Sequence, residues 1–179
     1  MENVIGPDRR RGGADAEADL YESGPPLPEG LTRWSMYLMS RLAQRGWVLL
    51  SRELAEAGLT PRSHALLVVV GERQPVSQQV VSEVLRVDRT TLMGIADAAE
   101  EAGFITRERD RGDRRRYALR LTEAGERVLA HGDRLVARAH DRLFAGLDAA
   151  QRAALHDLLT SAVPAAARAD VPIANANDG

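Results

Sequence analysis

Apolar residues recur along most of this chain at helical spacing. Leu31, Trp34, Leu38 and Leu42 follow one another at intervals of three and four, and Leu50 and Leu54 continue the stripe. This predicts one long first helix ending near Gly58. Thr60 then reads as an N-cap with Pro61 at the first helical position. The second helix carries the run Ala65-Leu66-Leu67-Val68-Val69-Val70, too continuous for a surface helix, and is placed in the core, ending at or near Gly71. A third helix opens at Val76-Ser77, with Ser77 as cap and Val80, Val81, Val84 and Leu85 buried. Asp88 caps a fourth, whose apolar positions are Leu92, Ile95, Ala96 and Ala99 and whose left-handed stop is Gly103.

The period then changes from helical to alternating. Phe104 to Leu121 holds two apolar-polar runs around an arginine-rich centre, which predicts a two-stranded hairpin with a cationic tip. Thr122 caps a fifth helix with Glu123 and Glu126 in its first turn, where acids suit the helix dipole. Leu129, Leu135, Val136, Leu143 and Phe144 make that helix too apolar for a lone exposed rod. Gly146 breaks it, and Ala149 to Ala162 forms a sixth, with Leu155, Leu158 and Leu159 on one side. Helix, turn, helix and basic hairpin is the layout of a winged helix-turn-helix, which grips the DNA backbone with the wing and reads bases with the helix. The predicted fold class is therefore mainly α with a small β-hairpin wing, a winged helix-turn-helix joined to a helical dimerisation region.

Composition refines this picture. The chain has 179 residues and a net charge of −2, which by itself argues against a nucleic-acid partner. The charge is unevenly spread. Residues 1–30 hold three arginines against seven acids, whereas residues 31–168 hold 21 arginines against 17 acids. An acidic tail thus masks a mildly basic folded part. All 24 basic residues are arginine, the better fork for phosphate and guanine. The absence of cysteine excludes disulfides, thiolate zinc sites and a cysteine redox switch. No apolar run is long enough to span a bilayer and no secretory signal opens the chain, so a cytoplasmic protein is expected. Residues 1–28, rich in Gly, Pro and acids, read as a disordered or loosely docked tail, and 169–179 as a flexible one.

The order of these elements resembles the MarR family of winged-helix transcriptional regulators, over roughly residues 31–165. The resemblance rests on Leu59-Thr60, on Val87-Asp88-Arg89-Thr90-Thr91-Leu92, on Asp97, Glu100 and Gly103, on Asp113-Arg114-Arg115, and on Leu121-Thr122-Glu123-Ala124-Gly125. It implies a MarR-type domain over 29–168, with dimerisation helices at 31–57 and 122–165 around a winged helix-turn-helix at 60–121. It also implies an obligate homodimer on a pseudo-palindromic operator in double-stranded DNA. The apolar terminal helices call for a partner independently of the resemblance.

The candidate DNA contacts follow. Arg89, Thr90, Thr91 and Met93 occupy the start of the recognition helix, the end that enters the major groove. Arg89 reads either as a fork to guanine or as a phosphate contact. Ser77 and Gln78 open the preceding helix, whose free N–H groups suit a phosphate, alongside plain capping. In the wing, Arg109, Arg111, Arg114, Arg115 and Arg116 surround Asp110 and Asp113. Two or three of the arginines would touch phosphate or the minor groove, and the resemblance implies that Asp113 orients Arg115. Gly94 and Ala99 depart from the family pattern, which bears on the operator sequence.

The resemblance further implies a small aromatic or phenolic effector, held between the dimer helices and the winged lobe. Trp34, Tyr37, Arg41 and His64 are the candidates to line that crevice. No phosphate loop, metal-binding His-Glu spacing or serine elbow is found, so neither an enzyme, a cofactor nor a metal site is expected. The competing reading is a dimeric interaction protein that keeps the fold without specific DNA binding.

Overall fold

The computed structural model describes residues 26–109 and 117–168. Two compact units divide between Leu143 and Phe144. The first begins with a short helix, α1 (Glu29–Thr32), then α2 (Ser35–Ala55) and α3 (Pro61–Arg73). Strand β1 (Val76–Ser77) leads into α4 (Gln78–Leu85) and α5 (Arg89–Glu101). Strands β2 (Ile105–Arg109) and β3 (Tyr117–Leu121) follow, then α6 (Glu123–Leu143). The second unit carries α7 (Ala149–Arg168). Asp148 caps it, accepting from the Gln151 N–H at 2.9 Å while the Gln151 side chain accepts from the Asp148 N–H at 3.0 Å.

The first helix differs from expectation. It is not continuous but breaks at Arg33-Trp34, where Trp34 is extended and starts α2 as its N-cap residue. The apolar spacing runs through this break, so periodicity conceals it. At this point Thr32 turns its hydroxyl back onto the Glu29 carbonyl at 3.1 Å, a local bond that competes with the helix. As expected, α3 ends close to Gly71. The helix runs on to Arg73, and Pro75 stops it by forcing Gln74 into the extended region.

The caps fall where the residue types place them. Thr60 Oγ1 accepts from the Ser63 N–H at 3.1 Å, and Ser63 Oγ accepts from the Thr60 N–H at 2.8 Å, closing a capping box. Thr122 Oγ1 accepts from the Gly125 N–H at 3.0 Å and donates to the Gly103 carbonyl at 2.6 Å. That second bond ties the start of α6 to the end of α5. Gly103 has φ +74°, the left-handed stop expected. Gly125 has a different reason. A Cβ there would lie 1.9 Å from the Phe104 carbonyl oxygen, so only glycine lets that backbone approach.

The sheet has three strands rather than two, in the order β1-β3-β2, all antiparallel. Val76 pairs with Leu119 and Ser77 with Ala118, while β2 and β3 run in register from Ile105↔Leu121 to Arg109↔Tyr117. A two-residue strand has no periodicity to betray it. It forms because Val76 is buried against the apolar side of β3. Leu54, Leu59, Leu66, Leu67, Val70, Val81, Leu92, Ile105, Leu119 and Leu135 make one core beneath the sheet and α3–α5. Ala96 and Ala99 bring α5 down onto it.

One charged group is built into the packing of α2 on α6. Glu53 is 4% exposed and receives Arg142 Nη1 at 2.5 Å and the Arg138 Nε. Arg138 also reaches Glu56 at 2.6 Å. The hydrogen bond from Arg142 chiefly holds the Glu53 carboxyl below the usual carboxylate range. Desolvation opposes this, and Arg138 reinforces it.

Candidate nucleic-acid interface

The turn between α4 and α5 is set by three residues. Arg86 takes the left-handed conformation at φ 51°. Ser82 Oγ donates to the Val87 carbonyl at 2.6 Å, which fixes the chain between the helices. Asp88 then caps α5: its Oδ1 accepts from the Thr91 N–H at 2.9 Å and its Oδ2 from the Thr91 hydroxyl at 2.5 Å. These two bonds, the hydroxyl's first, hold the Asp88 carboxyl below its ordinary range. The cap therefore stays ionised at neutral pH at the positive end of the helix.

Beyond the cap, the buried side of α5 is Leu92, Ala96 and Ala99. The exposed side carries Arg89, Thr90, Met93, Gly94 and Asp97, one stripe at helical spacing. Nothing lies within 4 Å of where a Gly94 Cβ would stand. Met93 is 44% exposed, an apolar side chain presented outward from a helix whose core side is already filled. Thr91 is half-buried and its hydroxyl proton is committed to Asp88, so it is first a capping residue. Ser77 Oγ accepts from the Val80 N–H at 3.3 Å as the cap of α4, and Gln78 is the half-buried first residue of that helix.

The hairpin base is ordered by cross-strand pairing. Arg120 Nε donates to Glu108 Oε2 at 3.0 Å across β2 and β3, and Tyr117 stands half exposed opposite Arg109. Arg109 closes β2. The expected wing-tip contacts Arg111, Asp113, Arg114, Arg115 and Arg116 lie outside the described residues. A residue absent from the expected contacts, Arg107, bridges the wing to α5 through Asp97 and Glu100. Asp97 and Glu100 stand one turn apart on the helix before the strand, but nothing in their spacing pairs them with Arg107 until the fold brings the strand alongside.

The four candidate effector residues are placed differently from one another. Trp34 and Tyr37 are exposed at the start of α2, with the Arg33 guanidinium 5.3 Å from the Trp34 ring centre. Arg41 is half-buried on the same helix. His64 belongs to α3 and faces α6: its Nε2 is 3.0 Å from Asp133 Oδ1, and its ring lies against Gly132. Its side chain is only 12% exposed. Among the described residues no group of three or more His, Asp or Glu is placed to hold a metal, and no helix is long and apolar enough to cross a membrane.

A capped helix with an outward polar stripe, fixed by a tight turn to a preceding helix and followed by a basic hairpin, defines a winged helix-turn-helix DNA-binding protein. Comparison with known proteins agrees. The MarR family model matches residues 57–116. A protein of Thauera aromatica assigned to transcriptional regulation of the hcr operon is 31% identical over 156 residues, covering 84% of this chain and 90% of that one. The transcriptional repressor CouR, solved bound to a 23-mer DNA duplex, superposes with a TM-score of 0.71 at 28% identity over 78% of this chain and 99% of that one. The PcaV regulator of Streptomyces coelicolor, solved with its natural ligand, superposes at 0.66 and 27% identity, covering 79% of this chain and 99% of that one. The chain belongs to the MarR family of winged helix-turn-helix regulators. It is a DNA-binding transcriptional regulator and not an enzyme.

Proposed function

We propose that this protein is a homodimeric repressor that binds a pseudo-palindromic operator and is released by a small aromatic or phenolic ligand. The observation that carries the DNA half of this reading is the outward stripe of α5. Arg89 and Thr90 lie at its N-terminal end, Met93 and Gly94 in the next turn. Arg89 is the base-reading candidate, since a guanidinium forks to guanine O6 and N7, and Met93 and Thr90 suit apolar contact with thymine methyls. Gly94 leaves open space for close approach of the DNA. Ser77 and Gln78 face a phosphate from the start of α4, and Arg109 with the arginines of the wing tip hold the adjacent backbone.

The dimer reading is supported by α2, which presents Met36, Leu38, Met39 and Trp47 to solvent in the single chain. Apolar side chains clustered on one helix mark an association surface. In α7, Leu158 and Val163 are exposed as well. The release mechanism is supported by the likeness to a regulator solved with its natural ligand. Trp34, Tyr37, Arg41 and His64 are its candidate ligand contacts here, the aromatic pair for stacking and the two cationic or polar groups for an acid or phenol.

Selection of duplexes from a random pool by the purified protein tests the central part. Recovery of a two-fold related sequence with half-sites about one helical turn apart supports the proposal. Recovery of no consensus rejects it in favour of an interaction protein. Because the chain has two tryptophans, a Trp47→Phe variant makes Trp34 the sole indole reporter. Benzoate or phenol should then alter its fluorescence and release bound DNA together.

A further inference from the structure

Arg107 sits in β2, on a hairpin that also carries arginines read as DNA contacts. Its guanidinium is turned onto α5. Nη1 donates to Glu100 Oε2 at 2.6 Å and Nη2 donates to Asp97 Oδ1. Its side chain is 21% exposed, and its Nε is buried with no hydrogen-bond partner among the described residues. One arginine thus bridges two acids one turn apart on α5.

The placement of this bridge matters. The chain leaves α5 through Gly103, a left-handed residue, and the Phe104 N–H bonds back to the Ala99 carbonyl at 2.9 Å. That is one point of attachment, at the root of the strand. Arg107 adds a second, further along β2. Two points separated along the strand fix a direction as well as a position. Asp97, moreover, belongs to the same outward stripe as Arg89 and Met93, two turns further on.

We infer that Arg107 is a positioning residue for DNA recognition: by bridging Asp97 and Glu100 it fixes the angle between the reading helix and the wing, so that both engage one duplex in a single register. This rests on the reading of α5 as the helix that enters the groove. A planar guanidinium suits the task because its fork reaches two carboxylates at once, which a lysine cannot do in the same plane. Each of its terminal nitrogens is already held by a carboxylate of α5, so its contribution runs through geometry and not through a phosphate.

Asp97→Asn separates this from plain electrostatics by the sign of its effect. Removing an acid from the DNA-facing side should tighten binding to every sequence if charge alone matters. If the bridge positions the wing, the same change weakens binding to the cognate duplex and leaves scrambled DNA unchanged or tighter. The probes are a duplex selected by the wild-type protein from a random pool and a scrambled duplex of equal composition, each titrated across a salt series. Arg107→Gln is expected to cut the preference between them about tenfold, with the salt slope unchanged, and Arg107→Lys should behave like Gln. Equal tightening on both duplexes by Asp97→Asn overturns the inference. So does an equal loss on both by Arg107→Gln with the salt slope lowered by about one, the mark of a phosphate contact. Should Arg107→Gln fail to fold, Asp97→Asn at its exposed carboxylate still decides. A wild-type protein that does not prefer its selected duplex overturns the groove reading itself, and the positioning role with it.

Discussion

Single residues in this protein separate sharply into those that pack and those that face outward. Gly125 and Gly94 are the clearest contrast. Gly125 is fixed by a backbone oxygen that cannot retreat, so Gly125→Ala should lower stability by about 2 kcal/mol or more, read as a fall in thermal midpoint. Gly94 has open space around it inside a helix. Gly94→Ala should therefore raise stability by up to about 1 kcal/mol, because alanine loses less backbone entropy there. If that methyl also weakens binding to the selected duplex, the open space serves close approach to DNA. An unchanged affinity in a stabilised variant would show that the glycine serves no recognition role. Asp88 and Thr91 make a further division, since Thr91 holds the cap while Arg89 and Thr90 remain outward.

Among the secondary-structure elements, the starts of helices were legible because caps are local chemistry. Thr60, Ser77, Asp88 and Thr122 each declare a helix within three residues of themselves. Interruptions were not legible where the pattern ran through them, as at Trp34. Strand β1 was hidden by its length. In the site, the reading helix and its outward residues could be placed from the sequence, but the Arg107 bridge could not. An arginine in a basic hairpin reads as one more cation until the fold brings two acids beneath it. The α2–α6 junction was equally hidden, since Glu53 and its arginines are about 85 residues apart.

That junction gives the packing of α2 on α6 a pH dependence with a definite sign. The folded state holds Glu53 below its unfolded value, so it binds this proton less readily than the unfolded chain does. The stabilisation is complete above the ordinary carboxylate range. It is lost as pH falls through that range and below it. Thermal melts of the wild type should drop across that acid window, and Glu53→Gln should flatten the drop while lowering stability at neutral pH by leaving Arg138 and Arg142 underpartnered. A Gln variant with the same acid dependence as wild type would assign the drop to other carboxylates.

At the level of the whole molecule, two copies are expected to act together on one duplex. Sedimentation should give twice the chain mass of 19.5 kDa at micromolar concentration. Trp47→Asp, which places a charge on the exposed apolar side of α2, should shift the protein toward the monomer and weaken operator binding together. A monomeric wild type that still binds a palindromic duplex would contradict the assembly. The small net charge is no obstacle to DNA binding, because residues 1–30, with three arginines and seven acids, are net negative, while residues 31–168, with 21 arginines and 17 acids, are net positive.

α5 is expected to read sequence through its outward stripe. The most direct test is fluorescence anisotropy of the wild type and Arg89→Ala on the selected and scrambled duplexes, at several salt concentrations. A salt-sensitive wild-type preference for the selected duplex of several kcal/mol, roughly 4 or more, is expected. Arg89→Ala should lose about 1–3 kcal/mol of binding to the selected duplex with much less change on the scrambled one. Equal affinity of the wild type for both duplexes, or an Arg89→Ala variant that keeps the full preference, would contradict sequence reading by α5.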